Sequence, residues 1–328
     1  MTLITVRDEG LYCEAGDFFI DPQQKVPRAV LSHAHPNRVI PGCDLYVAAQ
    51  PSVALLEPQL GSEPELELAP YGQPFRLGDA LVSFHPSGFM IGSAQIRIEN
   101  ENEVCVVATD FKLDADPTCA PFESLKCNHL ITGALYGLPI YRWPKASSVI
   151  GDIHSWWMEG SKETNLLICD PFGQAQRILA ELKQLGKRKV YIHEDIKPWT
   201  DIYAEIGVDM ATVCLLSEAA PSHEFTGDLI LAPPEVKKSD WLKRFRNCRQ
   251  SQASGLMRTY SRSGMRHGFV HSNHADWPSM LKVVRESEAS SVWLTHGSDE
   301  IFARYLQETL GLDAHALRME YKGEEDTI

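Results

Sequence analysis

Two histidines, His33 and His35, stand in a pattern that is typical of metal ligands. They follow Ala29–Leu31, an apolar run that predicts a short buried strand. Side chains two residues apart on an extended segment project to the same side, so both imidazoles can reach one ion, with nitrogen about 2.0–2.1 Å from zinc. A chance pairing is the alternative for this motif alone. The same loop continues with Asn37 and Arg38, a neutral amide and a fixed cation.

Three further polar residues follow strand-like runs later in the chain, namely Asp110, His274 and His296. Each has a structural alternative when it is taken alone. Asp110 can start a turn, His274 can cap the helix that begins near Trp277, and His296 can be a buried core histidine. Because sites are built on the loops that follow strands, their occurrence in this order predicts one cluster with the two earlier histidines.

The elements that must position these residues change along the chain. Short strand-like runs separated by turn residues fill about the first 135 residues. Strands then alternate with helices, which is typical of an α/β fold with a parallel sheet. We expect a β-rich domain over residues 1–145, an α/β insert over 146–265 and a return segment over 266–328 that completes the first domain. Periodicity predicts helices over Pro51–Leu60, Ser147–Glu159, Gln174–Leu185, Trp199–Ile206, Trp277–Glu288 and Glu300–Leu310, and a closing strand over Arg318–Tyr321.

The composition is that of a globular protein, with 44% hydrophobic and 23% charged residues among 328. The chain lacks an apolar run long enough to span a bilayer, and its start does not resemble a signal peptide, so we expect a cytoplasmic protein without a membrane partner. The net charge of −13 opposes non-specific nucleic-acid binding. Basic residues nevertheless concentrate at Lys237–Arg249 and Arg258–Arg266, where a DNA contact surface is the alternative to a solvated face.

Several motifs carry a family resemblance that covers nearly the whole chain. They are Gly16–Pro22, His85–Gly88, Asp116–Glu123, Gly137–Pro144, Gly173–Arg177, His274–Trp277 and Thr295–Gly297. On these motifs the chain resembles the β-CASP branch of the metallo-β-lactamase fold. More narrowly, it resembles the bacterial ligase-associated DNA exonucleases, which are related to mRNA 3′-end-processing nucleases. The resemblance implies an αββα sandwich with an inserted β-CASP α/β domain.

The resemblance also implies a two-zinc centre that activates water and braces a phosphodiester. It assigns metal ligation to His33, His35, Asp110 and His296, and general-acid catalysis to His274, with Asp110 bridging both metals. Family ligands or their supporting residues are substituted at Asn37, Arg38, Phe89 and Gly133. An acidic residue is expected where Gly133 stands, and a histidine where Phe89 and Arg38 stand.

The residues at the substituted positions are poor metal ligands. A guanidinium stays protonated and offers no lone pair to a metal, and its charge repels Zn²⁺. We therefore expect at most one metal ion, zinc or alternatively manganese, or none. Arg38 is predicted to pair with Asp110 where the second metal would stand; the alternative is an arginine that points to solvent.

Three functions remain open at this point. The first is an exonuclease-like protein with little or no ordinary nuclease activity. The second is a hydrolase or nuclease that works with one metal ion. The third is a non-catalytic interaction module for an ATP-dependent DNA ligase and a helicase, the partners that the resemblance implies. The net charge of −13 fits protein contacts more easily than a continuous phosphate groove.

Overall fold

The computed structural model describes residues 3–186, 188–260 and 268–317. It is a mixed α/β structure, which confirms the predicted class. Contacts divide the chain into two compact units. Among the described residues, the first unit comprises Leu3–Ala115, Cys119–Tyr141 and His274–Leu317, and the second comprises Asp116–Thr118 and Arg142–Asn273.

Short strands make up most of the regular elements in the described residues. The strands are β1 (Ile4–Arg7), β2 (Gly10–Cys13), β3 (Phe18–Ile20), β4 (Arg28–Leu31), β5 (Leu45–Ala49), β6 (Glu65–Ala69), β7 (Phe75–Leu77), β8 (Ala80–Pro86), β9 (Ala94–Glu99), β10 (Val104–Ala108), β11 (His129–Ala134), β12 (Thr164–Ile168), β13 (Val190–Ile192), β14 (Val213–Leu215), β15 (Leu229–Ala232), β16 (Cys248–Ala253), β17 (Gly268–Phe269), β18 (Ser291–Gly297) and β19 (Asp313–Ala316). The α-helices are α1 (Val53–Leu60), α2 (Ala146–Glu159), α3 (Gln174–Lys183), α4 (Lys197–Glu205), α5 (Met257–Tyr260), α6 (Trp277–Glu286) and α7 (Asp299–Leu310). Short 3₁₀ helices cover Gln50–Ser52, Leu216–Glu218, Pro234–Lys238 and Asp240–Arg244.

The first unit contains two sheets that share one core. One sheet has the order β1-β2-β3-β4-β5-β6, and the other has the order β19-β18-β11-β10-β9-β8-β7. Apolar side chains from both sheets form a single buried cluster, which includes Val30 and Val47 from the first sheet and Ile96, Val107 and Ile131 from the second. The sheets therefore pack face to face. On the second sheet, α7 lies against β18 and β19.

In each of these sheets, antiparallel strands give way to parallel ones. Strands β4, β5 and β6 are parallel neighbours, as are β10, β11, β18 and β19. In a parallel set the carboxyl ends of all strands reach the same edge, which is where α/β folds bind ligands. A register shift between Gly133 and Ala134 interrupts the pairing of β11 with β18 at that edge.

The second unit is built on one parallel sheet with the order β14-β13-β15-β12-β16-β17. Helices α2 and α3 cover one face, where Ile153, Trp156 and Ile178 pack with Leu167 and Leu231. The neighbouring strand residues face the other way, because successive side chains alternate between faces. On that second face the apolar cover comes from loops and short turns, with Val236 and Phe245 packed against Ile168 and Ile230.

The predicted helices are present, with some ends shifted. Helix α6 stops at Glu286 rather than Glu288, where the backbone has a positive φ of 53°. Strand β16 was not predicted, because its sequence Cys-Arg-Gln-Ser-Gln-Ala lacks an apolar alternation. The predicted closing strand over Arg318–Tyr321 lies outside the described residues, and β19 is the final strand described.

Candidate functional site

Strand ends in the first unit bring the predicted site residues together. Strand β10 leads into Asp110, and β18 carries His296 near its end. In the other sheet, β4 leads into the loop that holds His33 and Arg38. His274 precedes α6, whose N-cap is Asp276, with Oδ1 accepting from the Ser279 backbone N–H at 3.0 Å. The helix-cap interpretation of His274 is therefore wrong.

The Asp110 carboxylate is the centre of this cluster, and it is 3% exposed. His33 Nε2 and Arg38 Nη2 each lie 3.1 Å from Asp110 Oδ2. On the other oxygen, His274 Nδ1 lies 3.2 Å and His296 Nε2 4.0 Å from Asp110 Oδ1. One buried carboxylate is thus surrounded by one guanidinium and three imidazoles.

The ionisation of this carboxylate follows from its neighbours. Burial alone would raise the pKa of Asp110 because it disfavours the charged form. The Arg38 guanidinium and the hydrogen bonds from His274 and His33 outweigh burial and hold the pKa of Asp110 well below its usual value. Asp110 is therefore an anion paired with the Arg38 cation.

Arg38 occupies the interior of the site, and its side chain is 2% exposed. The hypothesis that it pairs with Asp110 is confirmed, and the alternative of a solvent-facing arginine is wrong. A tight turn helps to direct it, since the Arg38 backbone N–H donates to the His35 carbonyl at 2.9 Å.

The hydrogen bonds of His33 fix which nitrogen carries its proton. Its Nδ1 accepts the backbone N–H of His35 at 3.2 Å, so a neutral ring carries hydrogen on Nε2 and donates it to Asp110. Burial, the largest cause, lowers the pKa of His33 and favours the neutral ring. In this state His33 Nε2 has no lone pair for a metal.

The remaining loop residues lie further out. The rings of His33 and His35 meet edge-on with centroids 6.3 Å apart. His35 Nδ1 accepts the backbone N–H of Asn37 at 3.3 Å, and Asn37 is exposed. Asn37 thus lies at the surface of the loop, whereas Arg38 turns inward.

Phe89 forms an apolar wall of the site. Its ring centroid lies 5.0 Å from that of His33 and 4.8 Å from that of His274, and the residue is 6% exposed. The position at which the resemblance expects a histidine thus packs between two site imidazoles and offers them no polar partner.

Gly133 is required by a close approach of the backbone. A Cβ at this position would lie 2.3 Å from the Thr109 carbonyl oxygen and 2.8 Å from His296 Nε2. Both distances are far inside van der Waals contact, so the present backbone excludes a side chain there. The space that the resemblance gives to an acidic residue is filled by the peptide of Thr109 and the ring of His296.

His296 has an unusual backbone for a residue with a side chain. Its φ of 39° lies in the left-handed region, which costs free energy and is found more often at functional sites. Its Nδ1 lies 2.8 Å from the Thr295 hydroxyl. Burial, the largest cause, lowers the pKa of His296 to about 3, so the ring is neutral.

Sequence reasoning missed the role of Asp21, which is 1% exposed. Its carboxylate accepts the backbone N–H of Ser32 at 2.8 Å and the Ser32 hydroxyl at 2.6 Å, which fixes the residue before His33. The sequence shows only that Asp21 follows the apolar run Phe18–Ile20. The parallel pairing of β3 with β4, which brings Asp21 to Ser32, is visible only in the structure.

The donor set does not fit the two-zinc centre that the resemblance implies. A bridging carboxylate would direct its lone pairs at metal ions, but Asp110 Oδ2 accepts from His33 and Arg38. The guanidinium would also repel a cation placed beside it. Within residues 3–186, 188–260 and 268–317, no group of three or more His, Cys, Asp and Glu side chains is arranged to hold a metal.

Comparison with known proteins finds a similarity to a protein named a probable DNA ligase. No family model matches this chain. It is 25% identical over 323 residues to a probable DNA ligase of Opitutus terrae (strain DSM 11246 / JCM 15787 / PB90-1), a match that covers 94% of this chain. The chain spans 30% of the length of that relative. Among the described residues, no helix combines the length and apolar character needed to cross a membrane.

Proposed function

We propose that this chain is an exonuclease-like protein of the ligase-associated DNA-repair type, with a metallo-β-lactamase fold and an inserted β-CASP domain, in which an ion pair replaces the two-zinc centre. It takes part in DNA processing with little or no ordinary nuclease activity. The two packed sheets of the first unit, interrupted in sequence by a parallel α/β unit, support the fold. The similarity to a probable DNA ligase supports the link to DNA.

The main support for the proposed loss of nuclease activity is the Arg38 guanidinium, whose Nη2 lies 3.1 Å from Asp110 Oδ2. In two-metal hydrolysis the ions stabilise both the attacking and the leaving oxygen. A guanidinium neutralises the carboxylate, but it does not lower the pKa of a water as a metal does. The site therefore keeps its charge balance and loses the source of the nucleophile.

Metal content and nuclease assays test the proposal directly. The purified protein is incubated with zinc or manganese, freed of unbound metal and analysed by elemental mass spectrometry. We expect at most one equivalent of metal, and no metal-dependent degradation of labelled single- or double-stranded DNA. Two equivalents of zinc, or degradation that His33→Ala abolishes, would overturn the proposal.

A matched pair of variants separates the removal of charge from the gain of a ligand. Asn37→Asp with Arg38→His restores two donors, whereas Asn37→Asp with Arg38→Met removes the same cation and restores one. We expect greater zinc uptake by the first double variant, because a neutral imidazole supplies the lone pair that a guanidinium lacks. Equal uptake by both variants would show that Arg38 does not stand at a ligand position.

A second candidate function is a non-catalytic module that assists an ATP-dependent DNA ligase, alone or with a helicase. It is favoured by the extent of the match, since nearly all of this chain aligns with 30% of a protein named a probable DNA ligase. Regions joined in one polypeptide can also work together as separate chains. Affinity purification of the tagged chain from its own cells, followed by immunodetection of the ligase, tests this. The absence of ligase at low salt would count against it.

A further inference from the structure

The basic segment Lys237–Arg249 forms the cover of one face of the sheet in the second unit. It comprises the end of the 3₁₀ helix Pro234–Lys238, the 3₁₀ helix Asp240–Arg244 and the start of β16. Val236, just before the segment, and Phe245 within it are buried in the apolar cluster against the sheet. Between them, Trp241 and Leu242 are partly buried against the same cluster. Lys238, Lys243 and Arg244 are exposed.

The charge of this segment stands out in an acidic chain. Residues 237–249 contain six of the 31 lysines and arginines and one acidic residue, Asp240, while the whole chain has a net charge of −13. A local concentration of cations that persists against the overall charge creates a positive potential at that surface.

Some of these cations already have internal partners. Lys237 Nζ donates to Gln252 Oε1. Arg249 Nη1 donates to the Trp156 carbonyl at 3.1 Å, and its Nε lies 3.6 Å from a Glu163 oxygen. Lys243 Nζ lies 2.6 Å from Asp240 Oδ1 at the surface.

Two other cations are left for an external partner. Lys238 and Arg246 are exposed, and neither forms an ion pair within the described part of the chain. The exposed Arg244 guanidinium lies 5.6 Å from the ring centroids of both Trp241 and Phe245. Positive charge and an aromatic surface thus occur side by side.

Trp241 supplies the accessible aromatic ring. It is partly buried, with its centroid 5.1 Å from those of His193 and Phe245, so neighbouring rings hold its orientation. A fixed, partly exposed indole next to a guanidinium group, here that of Arg244, is a combination on which a single-stranded base stacks while its phosphate is neutralised.

We propose that Lys238, Trp241, Arg244 and Arg246 form a binding surface for single-stranded nucleic acid. The phosphates pair with the lysine and the arginines, and one base stacks on Trp241. An acidic protein could use the same cations, but it has no base to stack on the indole. The biological context of this surface rests on the proposed DNA-related function, but its chemistry does not depend on the Asp110 site.

Fluorescence anisotropy with a labelled single-stranded oligonucleotide tests the proposal on the full chain. Lys238→Ala with Arg246→Ala should reduce the salt slope of log K by about 1.4, since each phosphate contact on a single strand contributes about 0.7. Trp241→Leu should weaken binding by about 5- to 150-fold, the range for loss of one stacked base. Thermal unfolding verifies that each variant is folded, and Trp241→Phe, which keeps an aromatic ring, should retain most of the affinity.

The matched control is Lys126→Ala with Lys282→Ala, which removes the same charge from exposed positions of the first unit. It should leave the affinity within about twofold of the unchanged protein, because neither lysine belongs to the proposed surface. A loss equal to that of Lys238→Ala with Arg246→Ala would overturn the proposal. So would unchanged affinity in folded Trp241→Leu, or an acidic peptide that competes equally well with the unchanged protein and with Trp241→Leu. Absence of binding at low salt would overturn this inference alone, because the metal content at Asp110 is measured separately.

Discussion

Each unit of the molecule buries one arginine among carboxylates and histidine, but the two clusters differ in composition. In the first unit, Arg38 pairs with a single carboxylate, Asp110, which also faces three imidazoles. In the second unit, Arg177 Nε lies 2.8 Å from Glu181 Oε1 and 3.6 Å from Asp116 Oδ2. His271 Nε2 lies 3.2 Å from the other Glu181 oxygen.

The second cluster shows what a structural ion network requires. Arg177 also donates to the Ser272 carbonyl at 2.8 Å and to Asn273 Oδ1 at 3.3 Å, so it ties chain segments together through carboxylates and amide oxygens. One histidine suffices there. The histidines around Asp110 exceed what one ion pair needs, which is the arrangement that the proposed loss of a metal centre would leave behind.

The largest expected effect is from Arg177→Met. It leaves Asp116 and Glu181 buried without their cation, and breaking a buried pair costs about 3–5 kcal/mol. Chemical denaturation of the variant measures this as a lower midpoint. Arg304→Met, which breaks an exposed pair with Glu308, is the control and should leave the midpoint almost unchanged. Similar small losses in both variants would show that the Arg177 network contributes little.

Arg38→Met should cost less, about 3 kcal/mol at pH 8, at the lower end for a buried pair. Burial is the main cause of the lowered pKa values of His33 and His296, and Arg38 lowers them further. Without Arg38, an imidazole beside Asp110 takes up a proton more readily. A lowered folded-state pKa costs stability below the unfolded value of about 6.5, because the unfolded chain then binds the proton more readily. With less lowering in Arg38→Met, this cost at low pH is smaller than in the unchanged protein.

The loss in Arg38→Met should therefore be smaller at pH 6 than at pH 8, as measured by denaturation at both values. Arg177→Met has two carboxylates to compensate and one histidine, so its loss should vary less over the same range. A pH-independent loss in Arg38→Met would show that the histidines do not replace the missing cation.

Gly133→Ala should destabilise the first unit by about 1–3 kcal/mol, which is typical of overpacking. Its Cβ would lie 2.3 Å from the Thr109 carbonyl oxygen. Gly151→Ala is the matched control, because a Cβ there has no atom within 4 Å and the residue lies inside α2. Alanine in a helix stabilises by about 0.5–1 kcal/mol over glycine. Thermal unfolding of both variants should therefore shift in opposite directions, and a shift of the same sign would contradict the close approach at Gly133.

The smallest expected effect is on how steeply the free energy of unfolding falls at low pH. Burial raises the pKa of Glu181, but His271 and Arg177 outweigh it and lower the pKa below its ordinary value. A depressed pKa contributes stability above the unfolded value of about 4.3, and this is lost as the pH falls through the folded value. Glu181→Gln should thus show a shallower fall in stability below about pH 4 than the unchanged protein. If the free energy of unfolding fell equally steeply in both proteins, groups other than Glu181 would cause the loss of stability in acid.

Periodicity predicted the helices well because α2, α6 and α7 carry their buried apolar residues at helical spacing. It failed for β16, whose polar residues pair with β12 in the interior of the sheet. Such a strand is held by backbone hydrogen bonds to neighbouring strands rather than by alternating apolar side chains. A single sequence does not show which strands will be its neighbours.

The residue types alone determined which side chains are able to ligate a metal and which are not. His33, Asp110, His274 and His296 could be named from spacing and resemblance, and so could the chemical inability of Arg38 to bind zinc. Tertiary structure decided that Arg38 turns inward while its neighbour Asn37 stays exposed. It also decided that the Thr109 peptide excludes a side chain at Gly133. The physical reason is that charge and size belong to single residues, whereas burial and distance arise only when separate strands meet at one edge.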